Sequence, residues 1–200
     1  AGGTITFSDN VSLVDDTGDS GGVVLTTGAT AGNIAFSGTI NGDTTLSLTS
    51  GTGSLTLSGV LGGGTGLTGL TISGPAITLS NDITIDGNFE VSAPVTVGAD
   101  ITIDTNHGGT DGTITFNSTI DGTQALTLDS GSGAITLDGA IGETTALTGL
   151  SINATDGEIG DIEIANIGDS TGVGVTGTVS IGNANTAELK LDGTVYSTDG

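Results

Sequence analysis

The chain alternates apolar and polar positions in short bursts from one end to the other. Triplets of the form apolar–x–apolar, with x usually polar, begin with Ile5-Thr6-Phe7, Val11-Ser12-Leu13 and Val23-Val24-Leu25. They run on through Ile34-Ala35-Phe36, Leu46-Ser47-Leu48, Leu55-Thr56-Leu57, Leu70-Thr71-Ile72, Ile77-Thr78-Leu79, Ile83-Thr84-Ile85 and Phe89-Glu90-Val91. The second half continues in the same way, with Val95–Val97, Ile101–Ile103, Ile114–Phe116, Leu126–Leu128, Ile135–Leu137, Leu150–Ile152, Ile162–Ile164, Val179–Ile181 and Leu189–Leu191. A period of two puts both apolar side chains on one face of an extended segment and the middle residue on the other. The apolar positions are mostly β-branched or Leu, which suits strands. Gly, Asn, Asp, Ser and Thr fill the intervals, and these residues close tight turns. No apolar period of 3.6 occurs, so the pattern predicts strands and essentially no helix.

The bursts are themselves periodic. Residues 32–72 align without a gap to 112–152, an offset of 80, with 21 identities in 41 positions. Triplets near 34, 55, 77, 95 and 114 step by about 20 residues, so the 80-residue unit is expected to divide into four coils. Between Ile77 and Ile101 the step between strands tightens to six residues, and three such steps close a coil of 18. The expected architecture is an all-β, single-domain β-solenoid over 1–200 without an internal linker. Each coil would hold about 18–22 residues and about three short strands, paired in parallel with the coils above and below. Roughly ten coils would make a rod of about 50 Å. A sandwich of antiparallel strands is the alternative, but it has no need of a gapless 80-residue period. Asn153 to Gly177 departs from the repeat, by drift or by an intruding loop.

Composition then narrows the function. Against 23 acidic residues stands one basic residue, Lys190, for a net charge of −22. Nothing can neutralise a phosphate backbone or an anionic leaflet, which argues against nucleic acid and the membrane surface as partners. No apolar run approaches a membrane span, so no membrane insertion is expected. No cysteine is present for a disulfide or thiolate site. The chain starts at Ala1 and contains no Met, which reads as a processed product or a segment of something longer.

The string Gly112–Leu128, with Gly131-Ser-Gly-Ala-Ile-Thr-Leu and Thr145-Ala-Leu-Thr-Gly-Leu-Ser-Ile, resembles the repeats of giant secreted bacterial surface proteins. These are the filamentous-haemagglutinin-like and autotransporter-type adhesins of Gram-negative bacteria. The resemblance covers most of residues 2–152 and is one of repeat pattern. It implies a right-handed parallel β-helix, export to the cell surface, and work as a surface fibre or adhesin stalk.

Candidate chemistry is sparse. Asp15, Asp16 and Asp19 crowd one turn, and Asp104, Asn106 and Asp111 another. Several oxygens on a tight loop are what calcium wants, so these six are calcium candidates, although neither turn has a known calcium-loop spacing. Otherwise no cofactor is expected. Glu158, Asp161 and Glu163 form the densest acidic set for glycoside hydrolysis, but sugar-stacking aromatics and a basic group are missing, so no enzyme is expected. The same lack weakens lectin-like sugar binding. His107 is the only histidine and sits in a turn. Lys190 is expected to pair with Glu188 or Asp192. The sequons at Asn10, Asn117 and Asn153 match chance. Thr4-Ile5-Thr6 and Thr113-Ile114-Thr115 resemble ice-binding faces, but most coils carry a single Thr.

The expectation is therefore a structural protein: a segment of a long extracellular filament on a Gram-negative cell surface. Its coils would continue in the same chain or stack head-to-tail with copies of itself. The alternative is an adhesin passenger stalk in contact with a cell surface or matrix. Minor alternatives are an ice-binding or polysaccharide-acting β-helix.

Overall fold

The computed structural model describes residues 2–14, 21–109, 111–153, 160–169 and 174–198. The described residues contain no helix, and their strands wind as a β-solenoid of eight levels, about seven turns from the first to the last. The first coil holds β1 (Ile5–Phe7), β2 (Val11–Leu13) and β3 (Val23–Thr26). The second holds β4 (Ile34–Phe36), β5 (Ile40–Gly42) and β6 (Thr45–Thr49). In the third, β7 (Leu55–Leu57) and β8 (Leu67–Ser73) flank a single bridging residue, Leu61. The fourth is the tightest, β9 (Ile77–Leu79) followed by β10 (Ile83–Val91), which turns a corner at a bulge between Ile85 and Asn88.

The fifth coil is β11 (Val95–Val97), β12 (Ile101–Asp104) and β13 (Ile114–Phe116). The sixth is β14 (Ile120–Gly122), β15 (Ala125–Asp129) and β16 (Ile135–Leu137). Then Ile141, β17 (Gly149–Ile152) and β18 (Ile162–Ile164) form the seventh. Ile167, β19 (Val179–Ile181) and β20 (Leu189–Leu191) form the eighth. Every strand pairing is parallel, and each strand pairs only with its counterparts one coil away. This gives three faces around one apolar column.

The column follows from the triplets. The first and third residues of each triplet point inward and are 0–3% exposed from Ile34 to Ile164. Identical positions stack: Ile34 on Leu55 on Ile77 on Val95 up the first face. Phe7 stacks on Phe36 with centroids 4.7 Å apart, and Phe89 tilts against Phe116 at 5.5 Å. Each three-residue strand buries little, and its neighbours above and below supply the remaining contacts.

Two expectations are corrected. The stack has about seven turns where about ten were expected, which shortens the rod to about 35 Å at one strand spacing per turn. And the 80-residue repeat is not four coils. Ile34 lies on the first face of the second coil, whereas Ile114 lies on the third face of the fifth coil. One repeat therefore spans three coils and two further faces, and the second copy is rotated by one face around the axis. The cause is uneven corners. Successive first-face positions Ile5, Ile34, Leu55, Ile77, Val95, Ile120, Ile141 and Ile167 are separated by anything from 18 to 29 residues. The 18-residue coil from Ile77 to Val95 is the one the sequence spacing predicts.

Beyond Asn153 the described residues stay in the stack: β18 pairs with β16, and Ile167 bridges to Ile141.

Candidate functional site

The acidic and amide residues sit at corners, where they tie one coil to the next. Asn33 Oδ1 accepts the N–H of Ser54 at 2.9 Å, and Asp82 Oδ1 accepts that of Thr102 at 2.8 Å. Asp100 receives Ala125 N–H at 2.8 Å, Asn88 receives Thr113 at 3.0 Å, and Asp121 receives both Thr144 and Thr145. Asn166 Oδ1 does the same for Thr194 and Val195. Most of these N–H groups lie at turns, and those of Thr102 and Ala125 lie in β12 and β15 just before the register with the strand below begins, so a side-chain oxygen from the coil below satisfies them. Part of the negative charge is thus structural at its origin.

The calcium candidates divide accordingly. Asp15, Asp16 and Asp19 lie outside the described residues. Asp104 Oδ1 accepts the N–H of Asn106 at 2.8 Å, closing the turn on itself. Asp111 reaches up one coil, where its Oδ2 accepts the Ser132 N–H at 2.9 Å and the Ser132 hydroxyl. The hydroxyl, then the N–H, hold the Asp111 carboxyl below its ordinary 3.8, against a small opposing effect of burial. Among the described residues no three His, Cys, Asp or Glu side chains converge.

The other candidates are placed as follows. Glu158 lies outside the described residues, and Asp161 is exposed just ahead of β18. Glu163 is engaged by Lys190, whose Nζ stands 2.6 Å from Glu163 Oε1 and 3.6 Å from Asp192 Oδ1. Asp192 is one of the two expected partners, whereas Glu163, the nearer one, was not expected. Glu163 faces Lys190 in the β18–β20 register, so the stronger contact runs between coils, a proximity that sequence distance hides. The Glu163 bond holds the ammonium above its ordinary pKa. His107 is exposed. All three sequon asparagines are engaged: Asn10 by Thr39, Asn117 by Glu90 and Ser92, and Asn153, 4% exposed, by Ser130 and Gly131. Thr6 and Thr115 lie on different faces, and Thr6 stacks on Ala35, so the two Thr-x-Thr units make no continuous threonine face.

Three features were not visible in the sequence. Tyr196 hooks the last coil to the one below, its hydroxyl set 2.8 Å from Ala165 O and accepting Gly193 N–H. Asp86, at the β10 corner, has a buried Oδ1 without a hydrogen-bond partner, against Gly66 and Gly108. And two shallow grooves open on the outer surface. One, about 310 Å³, lies on the third face over Gly69, walled by Thr45, Ser47, Thr71 and Asn88. The other, about 250 Å³, lies on the second face over Gly149, walled by Ala125, Thr127, Ser151, Thr178 and Ser180.

Set beside known proteins, the chain matches no family model, no curated protein and no solved structure. What stands is the fold: a β-solenoid, compatible with a β-helix repeat region.

Proposed function

We propose that the chain is a load-bearing segment of a long extracellular fibre on a Gram-negative cell surface. The observation that carries this reading is the unbroken parallel stack: eight levels of strands share one apolar column and, among the described residues, no strand leaves it. Parallel ladders along an axis resist bending and pulling, because every rung is hydrogen-bonded to the next. The acidic Thr/Ser coat keeps such rods soluble and apart. The repeat pattern, similar to that of secreted bacterial surface proteins, supports the location.

Among the described residues the first and last levels are paired on one side only, and an edge pairs with whatever strand meets it. Continuation in the same polypeptide or head-to-tail stacking with a second copy would both cover them. No catalytic role is proposed. The second reading, a passenger stalk that grips a neighbouring surface, has the two grooves in its favour.

Negative-stain electron microscopy of the purified chain over a concentration series tests head-to-tail stacking. Uniform fibres many times longer than about 35 Å support it. Single short rods at every concentration leave growth only through a longer polypeptide and overturn self-stacking.

A further inference from the structure

Five glycines lie within strands of the described residues: Gly42, Gly69, Gly87, Gly122 and Gly149. Three of them are imposed by the backbone. A Cβ at Gly42 would stand 2.3 Å from Leu13 O, at Gly87 2.0 Å from Thr68 O, and at Gly122 2.5 Å from Val97 O. Gly69 and Gly149 are different. Both have ordinary backbone angles, and a Cβ would meet nothing closer than 3.4 Å at Gly69 or 3.5 Å at Gly149. The fold admits a side chain at both places, and a strand favours one, since glycine there costs conformational entropy and packs nothing. These two are the floors of the two grooves. They are also equivalent in the 80-residue repeat, which carries Ser47 to Thr127 and Thr71 to Ser151 beside them. The repeat has thus reproduced one groove on a second face, keeping the hydroxyls of Ser47/Thr127 and Thr71/Ser151 and replacing that of Thr45 by the methyl of Ala125.

The groove walls carry no charged residue, on a chain of net charge −22. The carboxylates nearest in register are both hydrogen-bonded: Glu90, opposite Thr71, to Asn117 of the coil above, and Asp100 to the N–H of Ala125 at the rim of the second groove. The overall charge repels an acidic polymer, and a second copy laid side by side with this one. Nothing in the walls is placed to draw a cation. A neutral, hydroxyl-bearing chain suits them: Ser and Thr hydroxyls and the Asn88 amide donate and accept hydrogen bonds, and the bare glycine lets a flat ring approach the backbone.

We propose that the grooves over Gly69 and Gly149 are two equivalent binding sites for a neutral polysaccharide, one on each of two faces of the rod. This goes beyond the fibre reading and does not depend on self-stacking. Without an aromatic platform each site is weak, and a pair of sites on one stiff rod gains by avidity.

The test is calorimetric titration and saturation-transfer NMR with cellohexaose, maltohexaose and mannohexaose, with oligogalacturonate as the anionic control. At least one neutral hexasaccharide should bind at two sites per chain, and the control at none. Gly69→Val and Gly149→Val should each remove one site, and the double variant should weaken binding by about tenfold or more while its Tm holds or rises. Gly69→Ala and Gly149→Ala, which add only ordinary contacts, should weaken binding less. No saturable binding by any of the three neutral probes overturns the proposal. So does unchanged binding in a folded double variant. Long fibres in the micrographs with no sugar binding would sink this inference and leave the fibre reading standing.

Discussion

At the scale of single residues, part of the acidic character of the chain is an outcome of corner geometry. Asp82, Asp100, Asp111 and Asp121 each accept a backbone N–H from the coil above. An Asn does the same work at positions 33, 88 and 166. Asp111 shows how this couples stability to pH. Its carboxyl is held below the ordinary 3.8 in the folded chain. A depressed folded pKa contributes stability that is complete above 3.8 and lost as pH falls through the lower folded value. Melts recorded from pH 6 down to strongly acid conditions should therefore show Asp111→Ala costing under about 1 kcal/mol near neutrality, since the contact is exposed. The gap from the parent chain should close at the acid end. A gap that persists unchanged there would contradict the assignment. Of the calcium candidates suggested by oxygen-rich spacing, Asp104 turns onto its own Asn106 and Asp111 onto Ser132 of the coil above. The spacing along the chain carried no information about which coil each carboxylate would face.

Among elements, legibility depends on how many inward side chains a strand has. Every strand with two inward apolar residues is visible as a triplet. β5 and β14 are not, because Gly42 and Gly122 take the place of the second apolar residue. The single-residue bridges at Leu61, Ile141 and Ile167 leave no alternation to detect. Gly122 is nonetheless the more demanding position, with φ at 149° and Val97 carbonyl directly beneath. Gly122→Ala should cost about 1–3 kcal/mol, whereas Gly149→Ala should leave stability within about 0.5 kcal/mol. Chemical denaturation of the two variants side by side checks the contrast, and equal losses would contradict it. In the column, Phe116 packs between Val91 and Leu137. Phe116→Ala should cost about 3–5 kcal/mol, measured by the same denaturation. A loss below about 1 kcal/mol would mean that the neighbouring coils close over the gap.

For the molecule as a whole, one basic residue opposes 23 acids on a narrow rod, so self-repulsion is a standing cost of the folded state. Raising NaCl from about 20 mM to about 500 mM compresses the screening length several-fold, and Tm should climb with it. Calcium and magnesium at matched ionic strength should raise it equally, because among the described residues no cluster of three ligand side chains exists to prefer one. A gain specific to calcium would contradict this and return attention to Asp15, Asp16 and Asp19.

The alternation of apolar and polar residues determined the strands, the inward face of each, and the stacking of one coil on another, because a three-residue strand with two buried side chains is stable only against neighbours of the same kind. The repeat also announced a solenoid. What only the tertiary structure decided is the phase of the winding. Corners of unequal length place Ile114 on the third face although its counterpart Ile34 lies on the first. They bring Lys190 to Glu163, and they set the paired grooves over Gly69 and Gly149 on different sides of the rod. Corner lengths are a matter of loop closure and local hydrogen bonding, which period-two patterning does not encode.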